Sequence, residues 1–452
     1  MEQKTPLRTI TFSNRELIAL IAPLVVEQFF AISVGLADSL MVATVGDAAI
    51  SAVSLVDSIS NLMIYIFSAM AAGGAAVAGQ YIGRQEPDNA NSAGQHLIAL
   101  LGVTSVCFIA LLYLFRPFVL NTLFGNIEPD VMAATNKYYT IVIASIPGIA
   151  LYNGGAAIFR TMGRSDVSLK VSLLMNGINV GGNALLIFGF HMDVAGVAIP
   201  TLVSRTVAAV VILGLLFNDS LPLRLSGVRS FRYNPRLLKN IFYISVPSGV
   251  ENAMFHFGRL ILFSLISTFG TASIVANAIG NTLGNFHVFA GQAVNLGMTT
   301  VVSQCVGAGD FDGARRYLRK LVKACYALMA AVNLGIIAML PLIMRVYDVS
   351  PEAERLAVIV AMIHGVASIF LWIPSFSLPT FLRSAGDARF TMLASMTTMW
   401  LCRVVFAYIF GKLMGCGVVG VWCAHSILDW ISRSVVFYAR YRSDRWTTKA
   451  IE

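Results

Sequence analysis

The sequence predicts an all-α polytopic membrane protein with twelve transmembrane helices in two pseudo-symmetric six-helix bundles, and three observations predict it. First, 57% of the 452 residues are hydrophobic and only 12% are Asp, Glu, Lys or Arg, against roughly 25% charged in soluble domains. Second, charge is absent from long blocks: Ser58 to Gly83, Tyr138 to Phe159, Val171 to Met192, Leu260 to Gly309, Ala324 to Met344 and Leu356 to Leu382. A helix needs about 20 apolar residues to cross the hydrocarbon core, so each block crosses once and the longest crosses twice. Third, the two halves repeat each other. No ten-residue alternation of the kind that builds a membrane β-barrel is present.

Apolar runs read with a window of about 19 residues place the spans in order. The first, 17–42, follows a mixed polar N-terminus and Arg15, and is expected to be a retained anchor rather than a cleaved signal. Spans at 51–76 and 94–117 flank Arg84, and those at 136–158 and 168–190 flank Arg160 and Arg164. The sixth, 194–217, runs into the most polar connection of the chain, Asn218 to Asn240, which carries Arg224, Arg229, Arg232, Arg236 and Lys239 with Pro222 and Pro235. The second half repeats the series at 241–267, 275–302, 320–345, 355–380, 391–411 and 417–440. The expected organisation is an N-terminal lobe at 1–217, a cytoplasmic basic linker at 218–240 and a C-terminal lobe at 241–452.

Placing the N-terminus in the cytoplasm gathers most basic residues on one side, including Lys4, Arg8, Arg15, Arg84, Arg160, Arg229, Arg315, Arg383 and Arg442. The other side receives only Arg116, Lys137, Arg345, Arg355 and Lys412. By the positive-inside rule both termini are then cytoplasmic. The net charge of +9 thus reflects topology in a cell membrane, and no nucleic-acid partner is expected.

Residues 23–90 slide onto 247–314 without a gap, a shift of 224. The identities include Pro23 with Pro247, Glu27 with Glu251, Gly46 with Gly270, Asn61 with Asn285, Gly73 with Gly297 and Gln80 with Gln304. They favour Gly, Pro, Asn and Glu over interchangeable aliphatics. Six spans per repeat is an even number, so both copies enter the membrane from the same side. Parallel repeats of this kind build transporters that work by alternating access, with their sites near mid-membrane.

Intramembrane acids are functional candidates because an ionised side chain there costs about 2.5 to 3.5 kcal/mol even on the lenient insertion scale. Glu27, Asp38, Asp57, Glu251 and Asp429 qualify. Glu27 and Asp38 share a helical face but stand about 16 Å apart along the axis, too far to share one ion. Glu27 and Glu251 occupy equivalent positions near mid-membrane and either line a cavity or fasten their helices to neighbours. Asp38, Asp57 and Asn61 fall in the outer half of the first lobe, and span five returns to that layer with Asn176, Asn179 and Asn183 on one face. The second lobe has Leu262, Asn281 and Asn285 instead, so the titratable equipment is one-sided. A partly desolvated carboxylate can alternate between a proton and a cation, which is the minimum chemistry of an antiporter.

Other patterns exclude more than they assign. The six cysteines form no CxxC pair, the histidines show no ligand spacing, and no metal site or cofactor is expected. The stretch Gly307 to Gly313 reads as a cytoplasmic turn capping a helix that begins at Gly313, since it lacks a preceding strand and a P-loop lysine. No catalytic Ser, His and Asp set is discernible, and an enzyme is not expected.

The segments PLVVEQFFAISVGLADSLMVATVGDAAISAVSLV and GQYIGR in the first half, with PSGVENAMFHFGRLILFSLISTFGTASIVANAI and CVGAGD in the second, resemble the bacterial multidrug and toxic compound extrusion (MATE) family. The resemblance covers nearly the whole chain. It implies a multidrug efflux antiporter that exports organic cations and other amphipathic compounds in exchange for protons or sodium ions, working as a monomer. It also implies that Asp38, in LADSLMV, is the span-one ion-binding acid, a possible ligand of sodium, and that Asn179 matches the Asn of one branch's span-five pair. The second position of that pair holds Asn183 where the branch has Asp. Phe255 stands where another branch has its span-seven Glu, and Glu251 comes four residues after the proline. A flippase of lipid-linked saccharides is the alternative within the superfamily; it would draw on Arg205, Arg259, Arg403 and Arg433.

Overall fold

A computed structural model describes residues 9–123, 125, 128–225 and 231–450. Lys4, Arg8 and Arg229, counted above on the basic side, lie outside them. The described residues contain twelve helical rods and no strand. We label the rods α1 (Asn14–Ala43), α2 (Asp47–Gly83), α3 (Pro87–Leu114), α4 (Pro129–Thr161), α5 (Ser165–Gly189), α6 (Ala195–Leu216), α7 (Pro235–Ser267), α8 (Thr271–Gly307), α9 (Phe311–Tyr347), α10 (Pro351–Ser384), α11 (Ala388–Leu413) and α12 (417–442). Nine of them are long and apolar enough to span a membrane on those grounds alone. The three that fall short are the polar ones: α7 carries Glu251 and Arg259, α8 carries Asn277, Asn281, Asn285 and Asn295, and α12 carries Asp429 and Arg433.

The chain divides into two compact units, 13–245 and a second holding 246–452 with the described residues before Ser13. The linker and the N-terminal segment are therefore distributed differently from the lobes expected above, for identifiable reasons. The linker is tied to α3: Arg224 N donates to Asn91 Oδ1 at 2.8 Å and Asn234 N to His96 Nε2 at 2.9 Å. In the second unit, Ile10 N donates to Asp310 Oδ2 at 3.0 Å and the Phe12 ring meets Tyr317 edge-on at 5.4 Å.

Each unit repeats one packing scheme. In the first, α2 packs on α3 and α4, α4 on α6, and α1 and α6 on α5. In the second, α8 packs on α9 and α10, and α10 on α12. Small residues allow the close approaches on which packing in lipid depends; a Cβ on Gly155 of α4 would sit 2.8 Å from Ile212 of α6. Gly46 and Gly270, equivalent in the repeat, precede α2 and α8 with φ of 129° and 93°, a region that side-chain-bearing residues rarely adopt. Their identity across the halves is a requirement of the turn. The turn after α8 gives a small correction: the next helix starts at Phe311, not Gly313, because Asp310 Oδ1 accepts from Gly313 N at 2.8 Å and caps it from two residues further back.

Candidate functional site

The first unit brings four of the predicted polar residues together. Asp38 on α1 accepts a hydrogen bond from Asn183 Nδ2 on α5 at 2.9 Å. With the Asn179 amide in the orientation that satisfies both its neighbours, Nδ2 donates to the two Asp38 oxygens at 3.0 and 2.9 Å while its Oδ1 accepts from Thr201 Oγ1 on α6 at 3.2 Å. One carboxylate is thus cradled by two amides of the asparagine face, both buried. Asp57 on α2 accepts from the Tyr138 hydroxyl on α4 at 3.3 Å. Arg205 on α6 lies within electrostatic reach of Asp38, Asp57 and Tyr138, and its Nη1 donates to Ser145 Oγ at 2.8 Å. Two carboxylates therefore face one guanidinium, which leaves the cluster one positive charge short when both are ionised.

Asn61 does not join this cluster. It is exposed on α2, and no hydrogen bond among the described residues links it to Asp38 or Asp57. Asn176 is likewise outside the cradle. Tyr138, Thr201 and Arg205 complete the site and were not singled out for it by sequence. Arg205 carried a usable signal as an intramembrane charge, whereas one tyrosine and one threonine among many carried none.

The paired glutamates have a different setting. Glu27 is buried within the first unit, where Oε2 accepts from Ser168 Oγ at 2.6 Å and Oε1 from the Tyr152 hydroxyl at 3.3 Å, with Arg160 Nη1 at 3.7 Å. Glu251 is buried in the second, where Oε1 accepts from Ser395 Oγ at 2.6 Å and Oε2 from Arg383 Nη1 at 2.9 Å, with Arg433 Nη2 3.7 Å from Oε1. Each glutamate ties the first helix of its unit to the fourth and fifth through a serine and an arginine. Of the two roles open to this pair, fastening is the one these contacts perform. Pro23 and Pro247, inside α1 and α7, leave the carbonyls four residues earlier without their usual donors, two turns before each glutamate.

The MatE family profile matches residues 23–185 and again 247–409, at the offset of the internal repeat. Among relatives, the "Uncharacterized transporter YisQ" of Bacillus subtilis is 25% identical, covering 98% of this chain and 96% of that protein. The "Probable multidrug resistance protein NorM" of Thermotoga maritima is 24% identical over 97% and 94%. A solved structure described as the outward-facing conformation of a multidrug resistance MATE family transporter of the MOP superfamily superposes with a TM-score of 0.89 at 18% identity, covering 96% of each chain. Its twelve helices in two bundles are the fold found here. Two family matches that together span most of the sequence, on that fold, make this chain a member of the MATE family of multidrug efflux transporters.

Proposed function

We propose that the chain is a secondary active exporter that exchanges organic cations and amphipathic compounds for protons or sodium ions by alternating access, with Asp38 as the carrier of the coupling ion. It sits in the cytoplasmic membrane with both termini inside, works as a monomer and needs no cofactor. The observation that carries this reading is the cradle around Asp38. Amide dipoles from Asn179 and Asn183 hold the carboxylate in place without neutralising it, and the one nearby guanidinium is shared with Asp57. A full counter-charge is therefore left to a mobile ion. A proton or sodium ion and a cationic substrate compete for the same deficit, and exchange follows when each is admitted from a different side. Asp57 and Tyr138 support the cradle by sharing Arg205. The family match does not favour the flippase alternative.

The test is gradient collapse in proteoliposomes. Adding an ethidium-like cation should partly dissipate a preset proton or sodium gradient, and Asp38→Asn should abolish the response while gel filtration and thermal stability stay as in the parent. An Asp38→Asn protein that still couples dye to ion would overturn the assignment.

A further inference from the structure

The first turns of α9 carry a stripe of cations. Arg316, Arg319, Lys320 and Lys323 follow the spacing i, i+3, i+4, i+7, which puts them on one helical face, and all four are exposed. The acids at this end of the helix are engaged elsewhere. Asp312 Oδ1 accepts from Arg315 Nη1 at 2.7 Å, while Asp310 caps Gly313, accepts from Ile10 and reaches Arg316 only at 4.0 Å. Beyond Lys323 the same face continues with Ala327, Leu334 and Ala338, also exposed and all apolar. No charge occurs from Ala324 to Met344, which is about 30 Å of helix and so the thickness of a hydrocarbon core. The stripe therefore begins where that core ends and runs about 10 Å outward, through the layer of lipid headgroups.

The repeat shows that the scaffold does not require these charges. At the offset of the family match, the four correspond to Ser92, Gln95, His96 and Ala99 on α3, with no lysine or arginine among them. That face of α3 is covered by the linker: Arg224 N donates to Asn91 Oδ1 at 2.8 Å, Asn234 N to His96 Nε2 at 2.9 Å, and the Phe231 ring lies 4.8 Å from the His96 ring. On α9, which packs chiefly on α8 and α10, the matched positions are exposed and basic. Topology asks only that basic residues lie on one side of the membrane. Gathering four of them on one face of one helix, at headgroup depth, is a further property.

We propose that this face of α9 is a seat for anionic phospholipid, one whose phosphate has no ammonium group beside it, with Arg316, Arg319, Lys320 and Lys323 on the headgroup and the apolar face beyond them along the acyl chains. Guanidinium forks match phosphate oxygens, and lysine ammoniums add point charges. The long stems of both residue types can lie along the acyl boundary while their charged ends stay among the headgroups. Basic residues gathered just outside a span are drawn to anionic lipid. The seat fixes the depth of the second unit in its leaflet, whereas the linker closes the matched face of the first.

The test is native mass spectrometry of the purified full-length protein in non-ionic detergent, given equal amounts of dioleoyl phosphatidylglycerol and dioleoyl phosphatidylcholine. Counting retained lipid needs no transport, so the result is independent of the exporter reading. The parent should retain the phosphatidylglycerol about tenfold over the phosphatidylcholine. Neutralising the stripe with Arg316→Gln, Arg319→Gln and Lys323→Gln together should bring the two lipids to parity, and all three positions are exposed, so the fold is not endangered. Arg316→Lys with Arg319→Lys should keep most of the preference. The control removes the same charge from the linker, with Arg232→Gln, Arg236→Gln and Lys239→Gln, and should leave the preference as in the parent. Equal retention by the parent overturns the proposal. So does an equal loss in the stripe and linker variants, because the attraction then belongs to the whole basic side and not to α9. Full displacement of the lipid by millimolar inorganic phosphate also overturns it, since the face would then hold a soluble anion.

Discussion

The fastening role of the glutamates is tested most sharply by Glu251→Gln. The amide keeps the shape and can still accept from Ser395, which lies 2.6 Å away, but it removes the carboxylate bonded to Arg383 at 2.9 Å and lying 3.7 Å from Arg433. Arg433 is 1% exposed, so a buried cation loses a counter-charge, and breaking such a pair costs about 3–5 kcal/mol. The retained serine bond argues for the lower end, about 3 kcal/mol. Glu27→Gln should cost less, about 1–2 kcal/mol, since its single arginine stands at 3.7 Å and its serine and tyrosine donors remain. Thermal unfolding in detergent, scanned at one fixed rate because such unfolding is irreversible, should order the proteins parent, Glu27→Gln, Glu251→Gln from most to least stable. Arg383→Gln combined with Glu251→Gln should recover part of the loss, by about 0.5–3 kcal/mol of coupling. The reasoning is refuted if Glu251→Gln leaves the midpoint unmoved while dye-driven gradient collapse disappears, because the glutamate would then be an ion carrier.

Three further outcomes follow from the packing and the loops. Gly291→Ala places its Cβ inside the buried Trp372 ring and should lower stability by about 1–3 kcal/mol; Trp372→Leu in the same chain should restore it, and a neutral single variant would contradict the contact. Asp310→Ala removes the cap on Gly313 and the bond to Ile10, so hydrogen exchange at both amides should speed up with a loss of about 1–2 kcal/mol, whereas Asp310→Asn should keep most of the protection. Between α5 and α6, hydrogen bonds from Lys137 hold the Asp193 carboxyl below its usual range. A lowered carboxyl stabilises above its unfolded value of about 3.9 and loses that contribution as pH falls through the folded value. Asp193→Asn should therefore shift the midpoint by the same small amount at pH 6 and pH 8, under about 1 kcal/mol for so exposed a pair. A shift that differs between those pH values would refute the sign.

The fold was legible because the membrane simplifies the problem. Hydropathy, the basic side and the repeat each constrain the same twelve segments, and even α7, α8 and α12, which fall short on length and apolarity alone, show as apolar runs that agree with spans in the other half. The cradle was half legible. Asp38, Asn179 and Asn183 could be found because each is costly in lipid and because helical spacing puts the two asparagines on one face. Asn61 sits one turn from Asp57 and yet is exposed, since a helix period fixes relative direction but not which residues a neighbour covers. Tyr138 and Thr201 were invisible, being chosen by helix packing rather than by their own cost. The attachment of the N-terminal segment was not legible, because it depends on one carboxylate, Asp310, and one ring, Tyr317, that lie some 300 residues away.

The repeat separates what holds each unit together from what each unit does. Positions that fasten are kept across the halves: Glu27 and Glu251, the prolines before them and the glycines that open α2 and α8, while an arginine and a serine meet each glutamate. Positions of the carboxylate cluster are kept in place and changed in kind, with Asp38 becoming Leu262 and Asp57 becoming Asn281. A duplicated scaffold with one charge pattern would offer two equivalent sites to one kind of ligand. Leu262 and Asn281 leave the second unit without an acid at the places of Asp38 and Asp57, so it cannot repeat that site. The exchange proposed above therefore gives the role of holding the coupling ion to the first unit alone.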